Sequence, residues 1–496
     1  MKTATKQRLK VALFLISLFA LAGVGVLSYV FHKQVQTPQT KALDAIPNHT
    51  ALFFECTKFA DFQTFNAEAQ PLFSIFLNEK QQKNIQQIIS LLTDKKYGFD
   101  VEKYSNSFYL SVHFSRREIS LLFGIEADKR YNKVLKDFVS QTATHYVNET
   151  FTYKKNKILK LHIDENILYL NSQNGLLLMT FDESLLRASI DHILLKDSAL
   201  HNIVHSFAHK RDAAVSMRLY MQYAQCEPVF KKMLEEMDGD VQISRMFTPF
   251  LWSAVNVKQK KGELIFSGYA IADTAANAAK LFSHADKAVE IEKLLPCNAQ
   301  NIFCVNAGKY QRFSQIKPYV QTSEDVFGLM YPSQAVTFKI NHNDLISNGL
   351  LLVSENPSEA AFHLFNSVGS EFEDNKYLLD TFYVHTAMVG KVNLNNFMIT
   401  QFAYNQDFPK LQYYTVWDNC IVFTDTQEGM ISYLQLLREG KTLKTNEKFQ
   451  ALSSYFSNQA NMLYYNGLQQ KSIQNIRFQY DYFSGNLFSV DAVVRF

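Results

Sequence analysis

The chain has little for crosslinking, turning or recognised chemistry. Five cysteines in 496 residues, Cys56, Cys226, Cys297, Cys304 and Cys420, contain no CxxC. An odd and sparse set excludes a disulfide scaffold, so they read mostly as small buried hydrophobes, with Cys297 and Cys304 the pair to test for a bridge. Glycine (17) and proline (10) are scarce beside 41 Phe and 25 Tyr. That balance describes packed elements with few long loops and excludes disorder beyond the ends. The net charge of +3 arises from 50 basic and 47 acidic residues. With no Lys/Arg block interleaved with aromatics, nucleic-acid binding has no support.

Catalytic signatures are missing too. Gly-x-Gly occurs only at Gly23 to Gly25, and there is no P-loop, GxSxG, HExxH or EF-hand loop. Ser314-Gln315-Ile316-Lys317 is an isolated SxxK without its partner motifs. Asp238-Gly239-Asp240 lacks the further ligands of a Ca²⁺ loop and reads as a turn. Asn48-His49-Thr50 and Asn148-Glu149-Thr150 fit the N-glycosylation sequon, which matters only in a eukaryotic secretory route. The chain reads as no enzyme and implies no cofactor. An active site assembled from scattered residues stays open as a third possibility.

One long apolar run is present, at 11–31, preceded by Lys2, Lys6, Arg8 and Lys10. As a helix it spans about 30 Å, the thickness of a bilayer core. It reads as a transmembrane anchor; the rival reading is a cleaved signal peptide ending at Ala20-Leu21-Ala22, disfavoured because residues 23–31 stay apolar. The positive-inside bias then gives a cytoplasmic tail (1–10), an anchor (11–31) and a linker (32–45), with the bulk in the periplasm of a bacterial inner membrane. No second stretch approaches membrane length.

Past the linker an internal repeat is legible. Ile46-Pro47-Asn48-His49-Thr50 followed by a short apolar strand from Ala51 returns as Leu295-Pro296-Cys297-Asn298-Ala299 followed by a strand from Asn301. Each phrase leads through a strand hairpin and helix, then a second strand pair and helix, then a capped helix, and closes on a hairpin. The closing hairpins are expected at 253–257 with 263–271, and at 476–483 with 486–496. The fold class expected is α+β: an N-terminal transmembrane helix, then two tandem related domains, 46–285 and 286–496, with mainly antiparallel sheets and packed helices.

The IPxxTAL opening, the ILYLNSQNGLLLMTFDESLL unit and the tandem repetition resemble uncharacterised exported single-pass proteins of Bacteroidota assigned to a domain-of-unknown-function family. The resemblance spans 42–496 and implies a compartment rather than an activity. Asp197-Ser198-Ala199 and Asp273-Thr274-Ala275 also look like the O-glycosylation signal of that phylum, although helix capping explains the first equally well.

His201, His205 and His209 share one helical face at a metal-compatible spacing, and are the candidate metal ligands. Their repeat partners, Gln450, Ser454 and Asn458, are all polar, as on an exposed face, so no metal is assigned. The functional expectation is a membrane-anchored envelope binding or scaffold module without catalysis, its partner an unidentified envelope protein or lipid. The alternative is a carrier of a hydrophobic ligand such as a lipid.

Overall fold

The computed structural model describes residues 24–25, 40–114, 119–195, 199–207, 215–236, 250–260, 262–273, 291–306, 333–342, 345–354, 356–359, 378–392, 411–456, 462–466, 473–484 and 486–496. The chain forms two compact units, residues 1–63 with 80–202, and 64–79 with 203–496.

The first unit holds β1 (Leu52–Cys56), β2 (Ser105–Phe114), β3 (Ile119–Ala127), β4 (Val147–Tyr153), β5 (Asn156–Ile163), β6 (Asn166–Gln173) and β7 (Leu176–Thr180). They pair in the order β1-β2-β3-β7-β6-β5-β4, every pair antiparallel. Left-handed residues close the tight hairpins: Lys154 and Lys155 between β4 and β5, Asp164 between β5 and β6, and Asn174 with Gly175 between β6 and β7. Phe108 of β2 packs against Phe59 and Phe62 with ring centroids 5.1 and 4.6 Å apart. Each such buried ring contributes about 1.5–3 kcal/mol.

The second unit holds β8 (Met217–Gln222), β9 (Phe250–Lys260), β10 (Glu263–Ala272), β11 (Ala299–Asn306), β12 (Gln334–His342), β13 (Leu345–Val353), β14 (Leu378–Val384), β15 (Ala387–Val392), β16 (Tyr413–Trp417), β17 (Cys420–Thr424), β18 (Met462–Asn466), β19 (Asn475–Ser484) and β20 (Leu487–Arg495). Here β11-β12-β13-β17-β16-β15-β14 repeats the pairing order of the first unit. Its core joins Val336, Phe338, Leu351, Val422, Tyr433 and Leu452. At Gly349 the Phe338 ring, directly opposite, occupies the space a Cβ would fill.

From β11 the sheet continues through β18-β19-β20-β10-β9-β8. The last strands of both repeats, β10 and β20, therefore pair with each other, with Ser267 opposite Asp491 at the centre. Outward from that pair the arrangement is two-fold: Ser267 faces Asn256 and then Arg218, while Asp491 faces Gln479 and then Leu463. The hairpin ends obey the same symmetry. Phe496 N–H donates to the Gly262 carbonyl at 3.0 Å, and Ala272 N–H to the Asn486 carbonyl at 2.8 Å.

These findings correct the expected fold class. The segment 11–31 lies outside the described residues except Val24 and Gly25, and among the described residues no helix is long and apolar enough to cross a membrane. The architecture is an antiparallel strand assembly with helices packed on it rather than two separate α+β domains behind a membrane helix. The physical reason is edge pairing: the hairpin closing the first repeat, 250–272, bonds to the final strand of the second, inside one compact unit.

Candidate functional site

The two-fold sheet β8-β9-β10-β20-β19-β18 has two different faces. On one, Phe250 stacks on Tyr480 at 4.6 Å and lies edge-on to Phe488 at 5.3 Å, while the Tyr223 and Tyr480 hydroxyls bond at 2.8 Å. Burial pushes the Tyr223 phenol up to about 12, so both remain protonated and neutral in this core.

The opposite face carries a polar band, flanked by apolar residues such as Ile265 and Val493 that join the core of the second unit. Directly opposed residues share a sheet face, so Arg218, Asn256, Ser267, Asp491 and Gln479 form one row across five strands. Arg218 and Gln479 are buried, and the three between them half-buried. The next row carries Tyr269, Ser489 and Asp481. Gln479 Nε2 donates to Asp481 Oδ2 at 2.8 Å, and the Ser489 hydroxyl to the Asp481 main-chain carbonyl at 3.5 Å. Tyr269 meets Phe483 edge-on at 5.5 Å. Burial, then the nearby Asp481 charge, push Asp491 up to about 6. A half-buried band with an acidic pair and an aromatic rim is chemically unlike the apolar ladders around it.

Gly268, beside Ser267, makes the β9–β10 contact possible. A Cβ there would stand 2.7 Å from Val255 Cα and nearer still to the Ala254 carbonyl oxygen. Below the band on the same face, Arg477 is 4% exposed, its guanidinium 4.8 and 4.3 Å from the Phe449 and Phe456 ring centres. Its Nε and Nη1 find no hydrogen-bond partner among the described residues, and burial lowers its pKa to about 10.

The first unit carries two polar clusters. His113 is buried with its ring 5.2 Å from that of His49 and its Nε2 3.0 Å from Ser111 Oγ, while its Nδ1 has no partner among the described residues. Burial, then His49, drive its pKa down to about 3. Glu126, also buried, accepts from the Ala42 N–H and from the Ser107 hydroxyl at 3.2 Å, and burial raises its pKa.

Matching the ladders of the two repeats by register tests which polar groups recur. Glu55, Tyr109 and Glu126 correspond to Cys304, Val336 and Val353, and His113 to Ile340. The helix cap Asp182 is matched by the helix cap Thr426. Asp182 accepts from the Ser120 hydroxyl at 2.5 Å, and the Thr426 hydroxyl bonds to that of Ser347, the equivalent of Ser120. That recurring tether is structural: it joins the end of one strand to the start of its neighbour.

Of the sequence candidates, His201 and His205 lie on the helix Ala199–Ser206 with His205 exposed, while His209 lies outside the described residues. Among the described residues no three His, Cys, Asp or Glu side chains gather as a metal set. Cys297 and Cys304 are free thiols, as are the other three. Burial pushes Cys304 up to about 12. Ser314 to Lys317 and Asp238 to Asp240 lie outside the described residues, as do Asp197, Ser198, Thr274 and Ala275. Sequence reasoning missed the polar band because its members are single polar residues in five strands far apart in the chain. The available signal was alternation, Asn475, Arg477, Gln479 and Asp481 reading polar at every second position.

No family model and no curated protein matches the chain. Among solved structures, crystal form III of TP0453 aligns with 48% of this chain and 80% of its own at 9% identity and a TM-score of 0.27. Crystal form I of the same protein aligns with 48% and 81% at 8% identity and a TM-score of 0.26. Similarity at this level constrains neither fold nor activity.

Proposed function

We propose that this chain is a non-enzymatic binding module of the bacterial cell envelope, and that the polar face of the sheet β8-β9-β10-β20-β19-β18 is its docking face. The observation carrying the reading is the two-fold junction at Ser267 and Asp491, where the ends of both repeats combine into one half-buried polar band. A repeat that doubled an active site would double its polar groups, whereas Glu55, Glu126 and His113 have no like-for-like partners in the second ladder. The recurring Ser120–Asp182 and Ser347–Thr426 tethers serve the strands and helix starts. The basic start and apolar run of residues 1–31 support an envelope address.

The test is crosslinking in cells with a photoreactive residue at Lys258, exposed on this face, followed by native mass spectrometry of the purified chain. A discrete protein adduct from position 258, absent from a control at exposed Lys133, is the expected result. Stoichiometric bound lipid with no protein adduct overturns the docking reading in favour of a lipid carrier.

A further inference from the structure

The acidic pair in the polar band is built as an oxygen cage. Gln479 stands opposite Asp491, and Asp481 opposite Ser489, so the two carboxylates are diagonal neighbours on one face, roughly 7–8 Å apart at their backbones. The two are close enough for the Asp481 charge to act on Asp491. No donor among the described residues reaches the Asp491 carboxyl. A second, separate observation marks the same place: Gln479 is 0% exposed, its Nε2 is committed to Asp481, and its Oε1 has no hydrogen-bond partner among the described residues. A buried carbonyl oxygen left unmatched is destabilising unless a ligand or water satisfies it. Ser489 and Ser267 add hydroxyl oxygens on the same face.

We propose that Asp481, Asp491 and the Gln479 side-chain carbonyl hold a hard divalent cation, with Ser489, Ser267 and water completing its shell. Every donor atom is oxygen, which selects against zinc and copper; two carboxylates with neutral oxygens in an irregular shell suit calcium better than magnesium, which demands near-ideal octahedral geometry. With only two charged ligands, affinity falls in the weak class of extracellular modules, on the order of 10⁻⁴–10⁻³ M. The ion ties β19 to β20 beside the two-fold centre. This assignment does not depend on the docking reading.

The test is thermal unfolding of the chelator-treated full-length chain in millimolar calcium chloride, against magnesium chloride and sodium chloride at matched ionic strength. Calcium is expected to raise the wild-type Tm by about 2–4 °C, and magnesium by clearly less. Asp491→Asn and Asp481→Asn should lose the calcium response. Metal-free Asp491→Asn should be at least as stable as metal-free wild type, because it removes the like-charge repulsion. Terbium emission sensitised by Tyr269 should appear with the wild type, be displaced by calcium and be absent from both variants. No calcium shift in the wild type, an equal shift with magnesium, or an undiminished shift in the variants overturns the assignment and leaves the crosslinking result untouched.

Discussion

Ser267 and Asp491 face each other across the β10–β20 ladder, and from this pair the same succession of antiparallel strands runs outward in both directions. The two residues sit at equivalent places in the two repeats, yet one is a hydroxyl and the other a carboxyl. The backbone is two-fold and the chemistry on it is not.

The junction itself is testable by crosslinking. Tyr269 and Ser489 are direct partners, and Cα atoms of such partners are about 4.5–5.5 Å apart, within disulfide range. A Tyr269→Cys, Ser489→Cys double variant should form a bridge on mild oxidation, found by peptide mapping without reductant. Free thiols at both positions would show that the strands are not in this register.

Gly268→Ala should destabilise by about 1–3 kcal/mol, since the new methyl meets the β9 backbone, which cannot rotate aside as a side chain can. Urea midpoints at constant slope measure this. A change smaller than about 0.5 kcal/mol, typical of an unconstrained surface site, would mean that β9 and β10 are not so closely apposed.

Acid should weaken the first unit through His113. Its folded pKa lies near 3, below the ordinary value of 6.5, so folding stability is fully present above pH 6.5 and falls as pH drops toward 3. Within that window the unfolded chain holds the extra proton, and the loss approaches about 1.4 kcal/mol per pH unit. His49, His192 and Asp182 surround the same region; His49 depresses the His113 pKa further, and Asp182 opposes the shift. His113→Gln should flatten the dependence between pH 6.5 and 5 in urea titrations; an unchanged slope would place the acid-sensitive group elsewhere.

Arg477 separates charge from volume. Its aliphatic stem and guanidinium plane pack on Phe449 and Phe456 while Nε and Nη1 go unmatched. Arg477→Met should therefore leave the urea midpoint unchanged or raise it, whereas Arg477→Ala should cost about 2–3 kcal/mol through lost packing. Equal damage from both would reveal that the charge is matched after all.

Most strands were legible because a strand writes its pattern locally. The strands 413–417 and 420–424 flank Asp418-Asn419, a tight-turn pair readable from the sequence, with Asp418 at a φ of 51°. The helix Glu183–Leu195 follows Asp182, whose carboxylate accepts from the Ser184 and Leu185 N–H groups as a cap should. The repeated proline phrase led to β1 and β11, which hold the same place in their ladders. The hairpins Val147–Tyr153 with Asn156–Ile163, and Leu378–Val384 with Ala387–Val392, were not legible. Among the described residues strand β4 pairs with β5 alone, and it is mostly exposed, so it lacks the apolar alternation a buried face imposes.

The sequence by itself determined most of the strands, several of their turns and the repeat, because apolar alternation and left-handed turn residues act within a few positions of one another. Only the tertiary structure decided how the repeats join and what chemistry their junction carries. Hydrogen bonding between β10 and β20 joins residues 224 positions apart, Ser267 and Asp491. Edge complementarity of that kind depends on which ladder edges are left open after local folding, and no local pattern encodes it. The same pairing put Asp491 beside Gln479 and diagonal to Asp481, turning isolated polar residues of separate strands into one site.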